Sequence, residues 1–167
     1  LLHESVRATG FPHCGLLAGE HFGPAAALGD VIELMRNAPS IEVALRAFVL
    51  QHHLNDSGAV PMLLPLGTKR WGLGYTIFSH DVPGIDTFYD AAIAYGMQIM
   101  QLLCGKDWQP LQVKLAHRRP ADVSPYARTL GPKVLFESNV YAIEFAPSLL
   151  ARPVVGDSSV TRILIRV

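Results

Sequence analysis

Apolar residues recur along this chain at two different periods, and the period changes several times. Residues 10–23, rich in glycine, read as a bend or short helix leading into the fold. Over 24–36, Leu28, Val31, Ile32, Leu34 and Met35 cluster at helical spacing until NAPS breaks the pattern. Ser40 stands where an N-cap would. Ile41, Ala44, Leu45, Phe48 and Val49 then form the apolar stripe of a second helix, 41–53. After the turn-forming cluster at 54–59, the period drops to two. Val60, Met62, Leu64 and Leu66 share one face of a strand over 60–66, and Pro61 and Pro65 assign that strand to a sheet edge. A second strand, 71–78, carries Trp71, Leu73, Tyr75 and Ile77 on one face. Its other face holds Gly72 and Gly74, which predict a trough open to a helix or a ligand.

The longest helix runs over about 84–104. Ile85, Phe88, Tyr89, Ala92, Tyr95, Gly96, Ile99 and Leu103 make one stripe, and Ile93, Met97, Met100 and Cys104 a second. Such a helix is buried over most of its circumference. Three further strands are predicted at 111–117, 133–138 and 140–146, the last two joined by a turn at Ser138–Asn139. A short helix begins near Ser124–Pro125 and stops at Gly131, and PSLLA reads as one helical turn. A final helix capped by Asp157 or Ser158 carries Val160, Ile163, Leu164 and Val167, and its pattern is cut short at the last residue. The predicted fold class is α+β: about five mostly antiparallel strands with helices on one face and one long central helix.

Half of the 167 residues are hydrophobic and 17% are charged, which suits a single domain with a sizeable core and excludes disorder. Fourteen basic residues balance fourteen acidic ones, so no global charge favours nucleic acid. No apolar run reaches the length of a membrane span, and no secretion signal opens the chain. Two cysteines do not make a disulfide framework, so a reducing cytoplasm is the expected setting. The lack of an initiator methionine and the truncated last helix read as a fragment of a longer protein.

Seven histidines are present, but none joins a spaced set of metal ligands; His13–Cys14 and His52–His53, the latter near Asp56, are the nearest approach. Cys104 and Cys14 are the candidate nucleophiles. Cys104 ends a helix, where the dipole disfavours a thiolate, so LLCGKDWQP (102–110) reads as a helix stop with Gly105 as a left-handed cap. HRRP (117–120) is a basic patch suited to a carboxylate or phosphate. Trp71, Tyr75, Phe88, Tyr89, Tyr95, Phe136 and Phe145 are aromatic and could line a cavity or fill the core. No catalytic constellation emerges, which leans towards a binding or regulatory module.

The segments LMRNAPS, YDAAIAYGMQIMQLLCGKDWQP, LAHRRPADVSPYARTLGPKVLFES and FAPSLLARPV, in this order and spacing, resemble one family. Over about residues 10–165 the chain is similar to the N-terminal effector-sensing domain, of arabinose-binding type, of AraC-family bacterial transcription regulators. The resemblance implies a ligand-responsive, often homodimeric, cytoplasmic domain that is not an enzyme and needs no cofactor or metal. It implies DNA contact only through a C-terminal helix-turn-helix module absent from this fragment, and no membrane association. The subgroup mostly does not sense arabinose, and the long central helix does not suit a jelly-roll sugar site. The aromatic face of 71–77 opposite a helix that is apolar on two stripes leads to the expectation of a small, mainly apolar or amphipathic effector between the sheet and helix 84–104. Trp71, Tyr75, Tyr95 and Met97 are expected to line it, with His117 or Arg118 as a carboxylate partner. Two alternatives stay open: a ligand-free dimerisation domain, and an enzyme using Cys104 or the histidines.

Overall fold

In the computed structural model of the chain, residues 13–21, 23, 28–55, 58–78 and 83–155 are described. The elements are α1 (Cys14–His21), α2 (Val31–Arg36), α3 (Ile41–Asn55), β1 (Ala59–Pro65), β2 (Trp71–Ile77), α4 (Ile85–Cys104), β3 (Gln112–Lys114), α5 (Ser124–Leu130), β4 (Val134–Leu135) and β5 (Ala142–Phe145). A single 3-10 turn, Pro147–Leu149, follows β5. The helix predicted over 24–36 is α2 in its described part. It begins only at Val31, because residues 29 and 30 form a turn with Gly29 at a φ of 50°. The predicted last helix, beyond 156, lies outside the described residues.

The start of α3 accounts for each of its first four N–H groups. The Ser40 Oγ accepts from Val43 N–H at 3.3 Å, and the Ser40 carbonyl accepts from Ala44. The two earlier donors, Ile41 and Glu42, reach the carbonyls of Arg152 and Leu150 at 2.9 and 3.0 Å. A local cap and a segment more than a hundred residues later thus share one helix terminus.

The sheet has the order β1-β2-β5-β3-β4, and only β3 and β4 run parallel. The α+β class is as predicted. The hairpin expected between 133–138 and 140–146 is not formed: β3 lies between β4 and β5. Parallel strands need a crossover, and α5 supplies it between β3 and β4. Glu137, at a φ of 56°, turns the chain away from β4 before β5 begins.

β1 is an edge strand, as its prolines require. Phe78 N–H donates to Gly58 and Leu66 N–H to Arg70, which fixes the even positions of β1 as those bonded to β2. Pro61 and Pro65 occupy odd positions, so their nitrogens face outward and no ladder bond is lost. The trough predicted at Gly72 and Gly74 is filled from within the sheet. Leu64 and Leu66 lie over it, close enough that a Cβ on Gly72 would stand 2.6 Å from Leu66 Cδ1, and one on Gly74 would stand 2.9 Å from Leu64 Cδ1.

The other face of the sheet receives α4. Gly96 brings the helix close to Ile143 and Leu73, while α1 crosses the opposite side of α4. Gly15 and Gly19, four apart on α1, lie against the backbone oxygens of Thr87 and Ala91, leaving no space for a side chain. Ile99, Met100 and Leu103 of α4 are fully buried, as are Met35, Leu45 and Leu115. Each such side chain contributes about 1.5–3 kcal/mol. The corner at 102–110 is architectural. Gly105 does close α4, but at φ 102° and ψ 151°, an extended glycine conformation rather than the predicted left-handed one.

Candidate functional site

A cavity of about 70 Å³ lies between the sheet and α4, closed at one end by α3. The helix contributes Ala92, Tyr95 and Gly96 to its wall. Leu73 and Tyr75 of β2 and Ile143 of β5 line the sheet side. Phe48 and His52 of α3, in edge contact at 4.9 Å between ring centres, and Pro61 of β1 complete it. The register explains the grouping: Pro61 pairs with Tyr75 and Leu73 with Ile143, so these side chains share the α4 face.

The Tyr95 hydroxyl is buried and has no hydrogen-bond partner among the described residues. Burial pushes its acidity down, to a pKa of about 12, so the phenol stays protonated at neutral pH. A buried hydroxyl without a partner costs about 1–3 kcal/mol.

Beside the cavity, α4 carries a second polar cluster. Asp90 is 3% exposed and accepts from the Tyr126 hydroxyl at 2.6 Å, while His117 Nε2 lies 3.0 Å from its other oxygen. His117 Nδ1 donates to the Arg118 carbonyl at 2.9 Å. Burial opposes charge on His117, but the bonds to Asp90 and Arg118 outweigh it and raise its pKa. An aromatic series leads from this cluster to the cavity. Tyr141 hydrogen-bonds Asp86 and stacks on Tyr89 at 3.7 Å, and Tyr89 meets Tyr75 edge-on. The Tyr89 hydroxyl accepts from Ile77 N–H.

On the sheet face away from α4, Glu144 is fully buried between Lys114 and Arg70, each at 2.6 Å. It bridges β5 to the strands on either side.

The profile of the family described as "Arabinose-binding domain of AraC transcription regulator, N-term" matches residues 1–154. The chain belongs to that family. Among solved structures, this AraC-type domain is similar to the transcriptional regulator CdpR from Pseudomonas aeruginosa, at 13% identity and a TM-score of 0.69. That alignment covers 89% of this chain and 48% of CdpR, so the chain spans about half the length of that regulator. No curated protein sequence matches the chain. Family and neighbour are both regulator domains rather than enzymes.

Within this AraC-type domain, the six residues expected at the ligand are distributed over four places. Tyr75 and Tyr95 line the cavity. Trp71 is on the same sheet face but beyond it, half-buried against the core and opposite Phe145. Met97 is 2% exposed and lines a separate open groove between α1, α4 and α5, together with Gln98 and Arg128. There Gln98 caps α1 by donating to the carbonyls of Gly19 and Glu20. His117 already holds a carboxylate, that of Asp90, and Arg118 is exposed and contributes its carbonyl. Phe48, His52 and Pro61 were not anticipated. Phe48 and His52 carried a helical spacing signal, but only the tertiary position of α3 turns it towards the cavity.

Among the described residues no three His, Cys, Asp or Glu side chains could hold a metal ion, and no helix is long and apolar enough to cross a membrane. Burial raises the thiol of Cys104 to about 11 and also raises that of Cys14, so both are protonated at neutral pH.

Proposed function

We propose that this domain senses a small molecule in the cavity between the sheet and α4, and does so in the cytoplasm as a homodimer. Occupancy would bias the orientation of a helix-turn-helix DNA-binding module in the whole regulator. The family assignment supports the regulatory role. The observation that carries the sensing role is the cavity between the sheet and α4, lined mainly by apolar and aromatic side chains. A thermal-shift screen over fatty acids, amino acids, sugars and neutral alcohols and ketones tests it. A ligand at a hundred times its Kd stabilises by about 2.7 kcal/mol, so a binding class raises Tm measurably. No shift with any class would remove the sensing reading.

A second reading, a module that only dimerises, draws on the exposed apolar side chains Leu34 of α2 and Val43 and Leu50 of α3. Sedimentation together with the same screen separates the two readings. A ligand-independent dimer with no thermal-shift hit supports the second.

A further inference from the structure

α1 runs parallel to α4, since Gly15 rests on the Thr87 carbonyl and Gly19 on that of Ala91. It stops at His21, while α4 continues to Cys104. Beyond that stop an open groove of about 590 Å³ follows α4, with α5 as its other wall. The cavity between the sheet and α4 has about 70 Å³, whereas small-molecule sites commonly have ~300–1,000 Å³. Met97, 2% exposed, and the half-buried Leu102 give the groove an apolar floor. Lys106 and Arg128 line it too, both exposed to solvent. Arg36, Arg46, Arg70 and Lys114 each have a carboxylate partner, but Lys106 and Arg128 form no ion pair among the described residues. Asp122, within electrostatic reach of Arg128, accepts from Ser124 N–H instead. The one acid among the described lining residues, Glu20, accepts from the Thr129 hydroxyl at 2.6 Å. The carbonyls of Gly19 and Glu20 at the end of α1, which would repel an anion, already accept from Gln98. Two cations against one carboxylate leave the groove positive beside an apolar floor.

We propose that this groove is a second ligand site, separate from the cavity, and that it takes an amphipathic carboxylate. The headgroup lies against Lys106 and Arg128, and the apolar chain lies along Met97 and Leu102. The guanidinium fork of Arg128 matches the two oxygens of a carboxylate, and Lys106 adds a point charge. A single excess positive charge suits a monoanion. The cavity offers no such partner, because no Asp, Glu, Lys or Arg stands among its described lining residues. A carboxylate there would be desolvated without a counter-charge. The groove keeps the headgroup at solvent and removes only the apolar chain from water.

The test titrates the 167-residue chain with hexanoate, hexanol, hexylamine and acetate. NMR follows the methyls of Met97 and Leu102 in the groove and of Ile143 in the cavity. Hexanoate is expected to give saturable shifts at Met97 and Leu102 and to leave Ile143 unmoved. Hexanol is expected to bind about 5-fold more weakly, the worth of two solvent-exposed ionic contacts. Hexylamine, a cation at neutral pH, should bind more weakly still. Acetate, which lacks the chain, is expected to produce no saturable shift. Added salt should weaken hexanoate and leave hexanol unchanged. Replacing both cations, Lys106→Gln with Arg128→Gln, should bring hexanoate to the level of hexanol. The salt titration probes the same contacts in the unaltered chain. Equal or tighter binding of hexanol or hexylamine would overturn the ionic contacts and with them the ligand class. Saturation of Ile143 alone by hexanoate would overturn the groove and support the sensing reading of the cavity. Silence at Met97 and Leu102 with every probe would remove the groove as a site and leave that reading untouched.

Discussion

His117 presents Nε2 to the Asp90 carboxylate at 3.0 Å and Nδ1 to the Arg118 carbonyl at 2.9 Å, so both ring nitrogens face oxygen acceptors. Only the imidazolium donates to both, and the raised pKa of His117 agrees. A group whose folded pKa is raised stabilises fully below its unfolded value, about 6.5 for histidine, and that stabilisation is lost as pH climbs through the folded value. Urea denaturation should therefore show the domain weakening as pH is raised from 6 towards 9. His117→Gln should cost about 2–3 kcal/mol at pH 6, since it leaves a buried carboxylate with only Tyr126 as donor, and it should flatten this part of the pH profile. A profile identical to that of the parent would show that His117 is neutral in the folded state.

Glu144 gives the opposite sign. Its burial works against ionisation, but Lys114 and Arg70 overcome it and hold the carboxyl below its usual range. Its contribution is present above the ordinary carboxylate pKa and is lost as pH falls through the lowered value. Glu144→Gln should cost about 1–3 kcal/mol at pH 7, discounted because Arg70 is half-exposed and Lys114 reaches solvent. Chemical denaturation at pH 7 and pH 3 checks it, with the two proteins converging at the lower pH.

Gly19→Ala sets two known effects against each other. Alanine gains about 1 kcal/mol in helix propensity. Its Cβ would also stand 2.6 Å from that of Ala94 and press on the Ala91 carbonyl, both fixed parts of α4. Overpacking of this kind costs about 1–3 kcal/mol or more, so a net loss of about 1–2 kcal/mol is expected by calorimetry. A stabilised variant would mean that α1 sits further from α4.

Tyr95→Phe removes a buried hydroxyl that has no partner among the described residues. The free domain should become more stable, by about 1 kcal/mol, because a desolvated group is replaced by an apolar one of nearly the same shape. A thermal melt without ligand reads this directly. Destabilisation by a similar amount would show that the hydroxyl is already bonded.

What could be read from the residues alone was whatever depends on near neighbours. Ser40 caps α3 because the donor it meets is three positions away, and the stripes of α4 follow from spacing within one helix. Pro61 and Pro65 assign β1 to the edge because they lack the N–H that an inner strand needs. The features that escaped depend on distant partners. Glu144 alternates in a strand like any solvent-facing residue, and one of its cations lies 74 positions away. Gly72 and Gly74 do leave a depression, but only the pairing of β1 and β2 reveals that Leu64 and Leu66 occupy it. Two of the six expected ligand residues reach the cavity: strand alternation places Tyr75 on the α4 face, and Tyr95 and Met97 stand on different stripes of α4, of which only the one with Tyr95 turns towards the cavity.

The outward nitrogens of Pro61 and Pro65 have one more effect. Along the free side of β1 the remaining donors are Ala59 and Leu63, four positions apart. An approaching strand from another molecule would find half of the donors missing there. Fibril-like growth from this side of the sheet is thus disfavoured by the backbone itself, without charge on β1 to repel a neighbour.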